Sequence, residues 1–355
     1  MNKDAKIYIA GHRGLVGSAI QRTLKAQGYT NIIGRTHTEL DLTNQAAVED
    51  FFANEKPEYV FLAAAKVGGI GANNTYRAEF IDQNLSIQNN IFESSYKHKV
   101  KKLLFLGSVC IYPKEAELPI VEDSLLTGPL EYTNEPYALA KIAGIKMAES
   151  YSLQYGTNYI SVMPSNLYGT NDNFDLEKSH VIPAMIRKMI LAKLVEEGNY
   201  EKAAIDLGIK DDSEASVLAG LRKYGITKKE DDVTIALWGS GRPYREFMHA
   251  DDMGEACVFV MNNVDFEDVA KDKTEVRNTH INLGTGTDIT MKDLAHSIKA
   301  IVGFNGTIEF DASKPDGTFR RYMSVEKIHK LGWHHKIELE DGLRQAIAWY
   351  QENHS

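Results

Sequence analysis

Short apolar runs alternate with stretches whose apolar residues recur every three or four positions through the first half of the chain. The runs predict strands at Lys6–Ala10, Asn31–Gly34, Tyr59–Ala64, Leu103–Gly107 and Tyr159–Met163. The periodic stretches between them predict helices, one of which begins near Pro136 with Asn134 as its cap. Strands that alternate with helices are typical of a parallel sheet covered on both faces. The pattern therefore predicts an α/β domain of the Rossmann type, with a doubly wound parallel sheet.

The second half of the chain has a different pattern. The segment Leu194–Asp232 is rich in charged residues, and its apolar positions recur at helical spacing. Sheet-like runs return at Thr234–Trp238 and His280–Leu283, and helical patterns follow at Met291–Val302 and Glu340–Gln351. We expect residues 1–170 to form the Rossmann domain and 171–355 to form mainly a smaller substrate-binding lobe. Segments near 234–260 and 278–286 are expected to return to the first domain.

Composition and charge narrow the class of protein. The net charge of −9 on 355 residues argues against a nucleic-acid partner. No apolar stretch approaches the roughly 18–20 residues that span a bilayer, so we expect no membrane partner. Two cysteines cannot build a disulfide framework, and the N-terminus leads directly into a strand rather than a signal peptide. The 11 histidines lack metal-site spacing, so no metal is expected. We expect a cytoplasmic protein.

Three glycines follow the first predicted strand at a spacing of three residues. Gly11 permits a tight turn, Gly14 lets the backbone approach a pyrophosphate, and Gly17 lets the next helix pack closely on the strand. The positive end of that helix then faces the phosphates. The motif predicts dinucleotide binding, and the predicted site also includes the loop residues Arg13, Leu15 and Val16.

A serine, a tyrosine and a lysine add chemistry to this motif. Tyr137 and Lys141 are four residues apart in a predicted helix, so they project from one face. An ammonium one helical turn away is expected to lower the phenol pKa from its usual ~10 by favouring the phenolate. Ser108, just past the fourth strand, would bond the substrate oxygen that Tyr137 protonates. Together with the glycines, the three residues predict carbonyl reduction or oxidation with a nicotinamide cofactor.

The end of the second predicted strand distinguishes two cofactor types. An acid there binds the ribose 2′-hydroxyl of NAD, whereas a cation accommodates the 2′-phosphate of NADP. This chain offers Arg35 and His37, and its first acid after the strand is Glu39. The pattern predicts NADP(H). The alternative is that Arg35 is a solvated turn residue.

Cys110 lies two residues past Ser108, at the carboxyl end of a predicted strand, where Rossmann sheets bind ligands. A thiol in this position can act as a base if a neighbour lowers its pKa. Free cysteines are more often small buried hydrophobes, which is how we interpret Cys257. A Rossmann-type dehydratase that acts on sugar nucleotides would place an acidic pair after the serine, so sugar-nucleotide dehydration is not expected.

These residues closely resemble one family, the GDP-L-fucose synthases, which are epimerase-reductases among the extended short-chain dehydrogenases. The most specific matching segments are AAAKVGGIGANNT (63–75), TNEPYALAKIAGIK (133–146) and FDASKPDG (310–317). The resemblance covers nearly the whole chain. It implies conversion of GDP-4-keto-6-deoxy-D-mannose to GDP-L-fucose with NADPH, by epimerisation at C3 and C5 and reduction at C4.

The resemblance also implies roles for particular residues. Cys110 and His180 match the acid/base pair of the epimerisations, while Tyr137, assisted by Ser108 and Lys141, would protonate the C4 oxygen during reduction. The residues that match positions holding the GDP-sugar are Lys188, Trp238, Arg245 and Asp316. The cofactor site would be completed by Asp41, Leu42, Leu106, Gly107, Pro164, Asn166, Leu167 and His180, and by Lys141, which can also hold the cofactor ribose. A homodimer through the helices near 81–98 and 136–155 is also implied.

Two departures from the family pattern leave alternatives open. His37 stands where some relatives have a second arginine. The segment 196–232 looks like an insertion, and we expect a solvated helical excursion rather than a cover for the nucleotide. The substrate could be another GDP-4-keto sugar, such as a GDP-6-deoxy-4-keto-heptose. A UDP-hexose 4-epimerase would favour an acid after the second strand, and a non-catalytic scaffold would be expected to lose Tyr137 or Lys141.

Overall fold

The computed structural model of the chain describes residues 1–230, 232–271, 273–314 and 316–354. The strands are β1 (Ile7–Ala10), β2 (Ile32–Ile33), β3 (Tyr59–Leu62), β4 (Lys102–Leu106), β5 (Tyr159–Pro164), β6 (Asn166–Tyr168), β7 (Ile226–Lys229), β8 (Asp232–Trp238), β9 (Tyr244–Arg245), β10 (Phe247–His249), β11 (Ile281–Leu283), β12 (Ile289–Thr290), β13 (Thr307–Asp311) and β14 (Arg320–Arg321). The α-helices are α1 (Leu15–Ala26), α2 (Gln45–Glu55), α3 (Ile70–Thr75), α4 (Arg77–Lys97), α5 (Glu135–Tyr155), α6 (Val181–Glu196), α7 (Tyr200–Leu207), α8 (Glu214–Arg222), α9 (Ala250–Asn263), α10 (Phe266–Ala270), α11 (Met291–Val302), α12 (Glu326–Lys330) and α13 (Leu339–His354).

A six-stranded parallel sheet in the order β11-β5-β4-β3-β1-β2 confirms the predicted fold class. Alternate residues of β1 face opposite sides of this sheet. Ile7 and Ile9 enter one apolar core, whereas Tyr8 and Ala10 enter the other. Because side chains alternate along a strand, a strand that is apolar at every position must be covered on both faces.

Helices approach this sheet and each other closely where glycine replaces a side chain. In α5, a Cβ built at Gly144 would lie 2.3 Å from the Phe105 ring. In α9, a Cβ at Gly254 would lie 2.6 Å from the backbone of Ala19 in α1. Asn134 is the residue before α5, as predicted, but its side chain makes no capping hydrogen bond. The glycines therefore set the helix spacing on both faces of the sheet.

The chain divides into two compact units, each built from three segments. Unit one comprises Met1–Leu167, Glu246–Gly286 and Tyr322–Lys336. The buried carboxylate of Glu246 ties its two later segments together. It accepts hydrogen bonds from the backbone N–H groups of Thr285 at 2.6 Å, Gly286 at 2.8 Å and Met323 at 2.9 Å.

Unit two comprises Tyr168–Arg245, Thr287–Arg321 and Ile337–Ser355. Its larger sheet has the order β13-β8-β7, and a second sheet has the order β12-β9-β14. The structure places β8 in unit two, because β8 pairs with β7 and β13. The return to unit one therefore begins at Glu246 and not near residue 234. In the described residues, no helix combines the length and apolarity needed to cross a membrane.

The segment 196–232 is not a solvated excursion, so that expectation was wrong. Its helices α7 and α8 bury Ala203, Ala204, Val217 and Leu221, and its strand β7 pairs antiparallel with β8. Most of the charged residues that suggested solvation are exposed, but the side chain of Asp206 is buried. The segment is thus an integral layer of unit two.

Candidate active site

The glycine turn leaves an open cradle at the end of β1. Gly11 has a φ of +85°, and its carbonyl accepts the N–H of Gly14 at 3.0 Å. A Cβ at Gly17 would lie only 2.1 Å from the Gly11 carbonyl oxygen, so α1 can start here only with glycine at that position. The first turn of α1, which includes Leu15 and Val16, contains no acidic residue. Its amide groups and dipole therefore suit a phosphate.

A cavity of about 390 Å³ brings this turn together with the end of β2. Its lining includes Gly11, Arg13, Gly14, Arg35 and His37. The structure thus assembles the glycines and the basic residues that the sequence indicated separately. A nucleotide with an additional phosphate on its ribose fits this combination of backbone amides and cations.

Arg35 is held in a defined position by three contacts, although about a third of its side chain is exposed. Its Nη2 donates to Glu55 Oε1 at 2.6 Å, its Nη1 donates to the Gly34 carbonyl at 2.9 Å, and its guanidinium lies 5.5 Å from the centre of the Phe51 ring. Sequence reasoning missed Glu55. No local signal could have found it, because the pairing depends on how α2 packs beside β2.

His37 and Asp41 form an exposed pair beside the cavity. His37 Nδ1 lies 3.9 Å from Asp41 Oδ1, and 82% of the His37 side chain is exposed. Asp41 accepts hydrogen bonds from the backbone and hydroxyl of Thr43, which lower the pKa of its carboxyl. The imidazole is therefore free to approach a ligand from solvent, with an acid near it.

The remaining predicted cofactor residues of unit one lie at the ends of strands of the sheet or in the loops that connect its strands and helices. Leu106 and Pro164 end β4 and β5, and a Cβ at Gly107 would lie 2.2 Å from the Met163 sulfur. The Leu42 carbonyl accepts from Asn90 at 2.9 Å. Asn166 donates to the Glu246 carbonyl at 2.9 Å, and Leu167 packs on the core. Most thus belong to the carboxyl edge of the sheet, where such folds bind nucleotides.

Ser108, Cys110 and Tyr137 come together at the end of β4. Ser108 precedes a short 3₁₀ turn (Val109–Ile111), and its Oγ accepts the N–H of Cys110 at 3.4 Å. The Ser108 side chain also hydrogen-bonds the phenol of Tyr137, which stands on α5. Cys110 is buried. Two hydroxyls and a thiol therefore share one small region.

The expectation that Lys141 lowers the Tyr137 pKa is not met. Burial raises the pKa of the Tyr137 phenol, the neighbouring Cys110 raises it further, and the hydrogen bond with Ser108 only partly opposes them. Lys141 Nζ instead donates to the Leu106 carbonyl at 2.7 Å and lies 5.7 Å from the centre of the Tyr137 ring. The phenol consequently keeps its proton, as a proton donor must.

Lys141 itself is almost completely buried. Burial lowers the pKa of its ammonium to about 8, although Cys110 acts in the opposite direction. Its hydrogen bond ties the start of α5 to the last residue of β4. The lysine therefore joins the two elements that carry Tyr137 and Ser108.

In unit two, Trp238 and Asp316 meet at a glycine turn. Trp238 ends β8 with 77% of its surface exposed, which rules out a core-filling role. Both carboxylate oxygens of Asp316 accept hydrogen bonds from Ser240, one from its N–H at 2.6 Å and one from its hydroxyl at 2.8 Å. The turn that follows Trp238 therefore holds the carboxylate of Asp316 in place, next to a strand end that carries an exposed indole.

Arg245 lies beside the same turn. Its Nη1 donates to the Tyr244 carbonyl at 2.7 Å and its Nη2 to the Asp316 carbonyl at 3.5 Å. Burial lowers the pKa of its guanidinium, and the positive charge of Arg321 lowers it further. The structure thus groups Arg245 with Trp238 and Asp316.

Lys188 and His180 lie on and before α6. No acid within the described ranges forms an ion pair with Lys188, and partial burial lowers the pKa of its ammonium. An ammonium in this state is suited to a phosphate. His180 is the residue preceding α6, and its side chain makes no capping hydrogen bond. Burial lowers the pKa of its imidazole. The part of the chain that the structure describes contains no cluster of metal-ligating side chains.

The buried lysine predicts a specific pH dependence of stability. From pH 8 to about 10.5, the folded state releases the Lys141 proton while the unfolded state retains it. The unfolding free energy of the wild type, minus that of Lys141→Met, should therefore rise by about 1.4 kcal/mol per pH unit in this window and stay constant below it. Urea unfolding across pH 7–10 measures the difference. Lys25→Met, on the exposed side of α1, is the control, and a flat Lys141→Met difference contradicts the assignment.

A family model agrees with this geometry. The NAD dependent epimerase/dehydratase family matches residues 7–213 and 211–284. The match spans the glycine turn, the Ser108 region and α5.

Individual relatives match along nearly the whole chain. A putative GDP-L-fucose synthase 2 of Arabidopsis thaliana is 52% identical, covering 99% of this chain and 94% of the relative. The GDP-L-fucose synthase of Escherichia coli strain K12 is 47% identical, covering 98% of this chain and 97% of the relative. A GDP-D-glycero-L-gluco-heptose synthase of Campylobacter jejuni, solved in the presence of NADPH, is 46% identical with a TM-score of 0.93, covering 99% of both chains. The chain therefore belongs to the NAD dependent epimerase/dehydratase family, and within it to the GDP-L-fucose synthases and their close relatives.

Proposed function

We propose that the chain converts GDP-4-keto-6-deoxy-D-mannose to GDP-L-fucose, by 3,5-epimerisation and NADPH-dependent 4-reduction. The observation that carries this proposal is the group of Ser108, Cys110 and Tyr137 at the end of β4. Two hydroxyls suit a carbonyl oxygen that is being reduced, but reduction alone gives no role to the thiol. The relatives named GDP-L-fucose synthase provide the substrate and a reaction that uses all three groups.

The residues of unit one fit NADP(H). The amides around Gly11, Gly14 and Gly17 would hold the pyrophosphate, while Arg35, with Arg13 and His37, would hold the 2′-phosphate. When bound, the cofactor supplies the hydride for C4. The heptose synthase solved with NADPH supports this choice.

Epimerisation uses the substrate's own ketone. The C4 carbonyl acidifies the protons at C3 and C5, so a base on one face and an acid on the other can invert each centre. We assign Cys110 the removal of the proton and His180 its return. Burial lowers the pKa of His180, so its imidazole is mainly neutral at neutral pH and takes up a proton before it returns one to the sugar. Epimerisation precedes reduction, since reduction removes the carbonyl that acidifies these protons.

Reduction then requires a proton at the C4 oxygen. Tyr137 provides it, because its raised pKa keeps the phenol protonated at neutral pH. Ser108 donates a second hydrogen bond to the same oxygen, and Lys141 holds α5 against the end of β4. For the GDP portion, we assign stacking to Trp238, phosphate binding to Lys188 and Arg245, and hydroxyl binding to Asp316.

A second candidate substrate is a GDP-4-keto-heptose, because a heptose synthase is as similar to this chain as the Escherichia coli GDP-L-fucose synthase is. The Campylobacter jejuni heptose synthase matches 99% of both chains, so its fold follows this one through nearly its whole length, including most of segment 196–232. This segment lies in the unit that carries Trp238, Arg245 and Asp316. Residues of unit two would therefore select between the two substrates, and the reaction carried out by the residues of unit one would stay the same.

Incubation with GDP-4-keto-6-deoxy-D-mannose and NADPH in heavy water tests the main proposal. NMR should show GDP-L-fucose with deuterium at C3 and C5. NADPH oxidation without deuterium at these carbons would indicate a plain 4-reductase. Turnover of a GDP-4-keto-heptose, with none of the deoxymannose compound, would select the second candidate.

Cys110→Ser should slow deuterium exchange by more than tenfold while ketone reduction persists, because the serine hydroxyl is a far weaker base. Equal losses in both steps would contradict the assigned role of the thiol.

Removal of the Arg35 cation should alter the choice of cofactor. Arg35→Ala is expected to raise the KM for NADPH about tenfold or more over its effect on NADH, because a charge-assisted bond to phosphate contributes ~1.5–3 kcal/mol. Steady-state kinetics with both cofactors measure the ratio. Lys6→Met is the matched control, since Lys6 also pairs with Glu55, at 3.2 Å, but does not line the cavity. An unchanged ratio in Arg35→Ala would refute the role.

We further propose that the chain forms a homodimer through α4 and α5 and functions in the cytoplasm. Exposed apolar side chains on these helices support the dimer, among them Tyr96, Leu139, Leu153 and Tyr155. The two free cysteines support the location. Sedimentation should give twice the chain mass of 39.7 kDa, and substitution of Leu153 and Tyr155 by Lys should give monomers. A wild-type monomer would exclude the dimer.

A further inference from the structure

The loop that leads to His180 lacks regular structure, so its position depends on a few contacts. Between Tyr168 and α6, much of its bonding is local. Asp175 Oδ1 accepts the N–H groups of Glu177 and Lys178, both at 2.9 Å. Such turns shape the loop but do not fix it to the rest of unit two. Phe174 provides an anchor, since its buried ring packs 4.6 Å from that of Tyr350 on α13.

A buried ion pair holds the backbone at this anchor. Arg187, two helical turns into α6, donates from Nη1 to the Phe174 carbonyl at 3.1 Å. Its Nε donates to Asp206 Oδ1 at 2.8 Å, and its Nη2 to the Asp206 carbonyl at 2.7 Å. Tyr350 completes the arrangement by donating to Asp206 Oδ2 at 2.5 Å. Only 5% of the Asp206 side chain is exposed.

Asp206 belongs to α7, within segment 196–232. This segment also reaches the loop at its surface, where Lys223 Nζ lies 3.4 Å from Glu177 Oε1. Both side chains of that pair are more than half exposed, so water and salt weaken it. The buried pair is the stronger constraint, because loss of one partner leaves a desolvated charge.

We propose that Asp206 is a positioning residue for His180, acting through Arg187 to fix the loop that ends at the imidazole. The inference rests on the proton-transfer role proposed above for His180. It gives segment 196–232 a function within the reaction, as the support for the acid that completes epimerisation. Asp206 touches no reacting atom in this account.

Proton exchange measured without reduction tests the proposal. In the NADP⁺-bound enzyme in heavy water, Asp206→Asn should slow deuterium incorporation at C3 and C5 of GDP-4-keto-6-deoxy-D-mannose about tenfold, as expected for a displaced catalytic group. The KM for NADPH should stay within about twofold of the wild type. Tyr350→Phe, which retains the ion pair, should give a smaller change in the same direction.

Glu214→Gln is the matched control within the same segment. Glu214 also pairs with a tyrosine and a cation, Tyr200 at 2.7 Å and Lys228 at 3.0 Å, and neither of these partners belongs to the loop. This variant should exchange protons at the wild-type rate. Loss of exchange in Glu214→Gln equal to that in Asp206→Asn would show general destabilisation of the segment and overturn the proposal.

A second readout needs no substrate. The rate at which diethyl pyrocarbonate modifies His180, followed by peptide mass spectrometry, should change at least threefold in Asp206→Asn, while the exposed His37 reacts as in the wild type. An unchanged His180 rate with unchanged exchange overturns the positioning role. If the wild type exchanges no protons of the sugar, the proposed function fails, and the modification rate still decides whether Asp206 positions His180.

Discussion

The carbonyl oxygen of Gly11 is the point on which the nucleotide-binding part of the chain depends. It accepts the N–H of Gly14 at 3.0 Å, and it excludes any side chain at position 17, where a Cβ would lie 2.1 Å away. Helix α1 can therefore start directly at the end of β1. Because β1 lies between β2 and β3 in a parallel sheet, the start of α1 shares an edge with the cations after β2. The position of this one backbone atom therefore determines where the phosphate-binding start of α1 lies relative to the cations after β2.

Local patterns predicted the parts of the protein that depend on local contacts. The strands of the first half lie within one or two residues of their predicted ends, and Ser108 and Tyr137 do meet. The pairings of Arg35 with Glu55 and of Arg187 with Asp206 could not be predicted, because each depends on how two helices or a helix and a strand pack. The charge of segment 196–232 was misleading for a related reason. Its few apolar residues, not its many charged ones, determine its burial.

Burial acts on Tyr137 and Lys141 in the same sense, by favouring the neutral form of each. The phenol pKa rises and the ammonium pKa falls, so the two groups do not form the phenolate–ammonium pair that their spacing suggested. The hydrogen bond from Lys141 to Leu106 replaces that pairing. A protonated phenol is the form required to complete a reduction, so Tyr137 is already in the protonation state that the reduction uses.

The carboxylate of Glu246 has a consequence for how the protein is made. Unit one includes residues 322–336, and Glu246 ties them to the segment 246–286 through the N–H of Met323. At ribosomal rates of about 5–20 residues per second, the first strands wait on the order of tens of seconds before their unit can close. During that interval, the apolar edges of the nascent sheet are available to other chains. Cotranslational protection by chaperones therefore matters more for this protein than for one whose first domain is a single continuous segment.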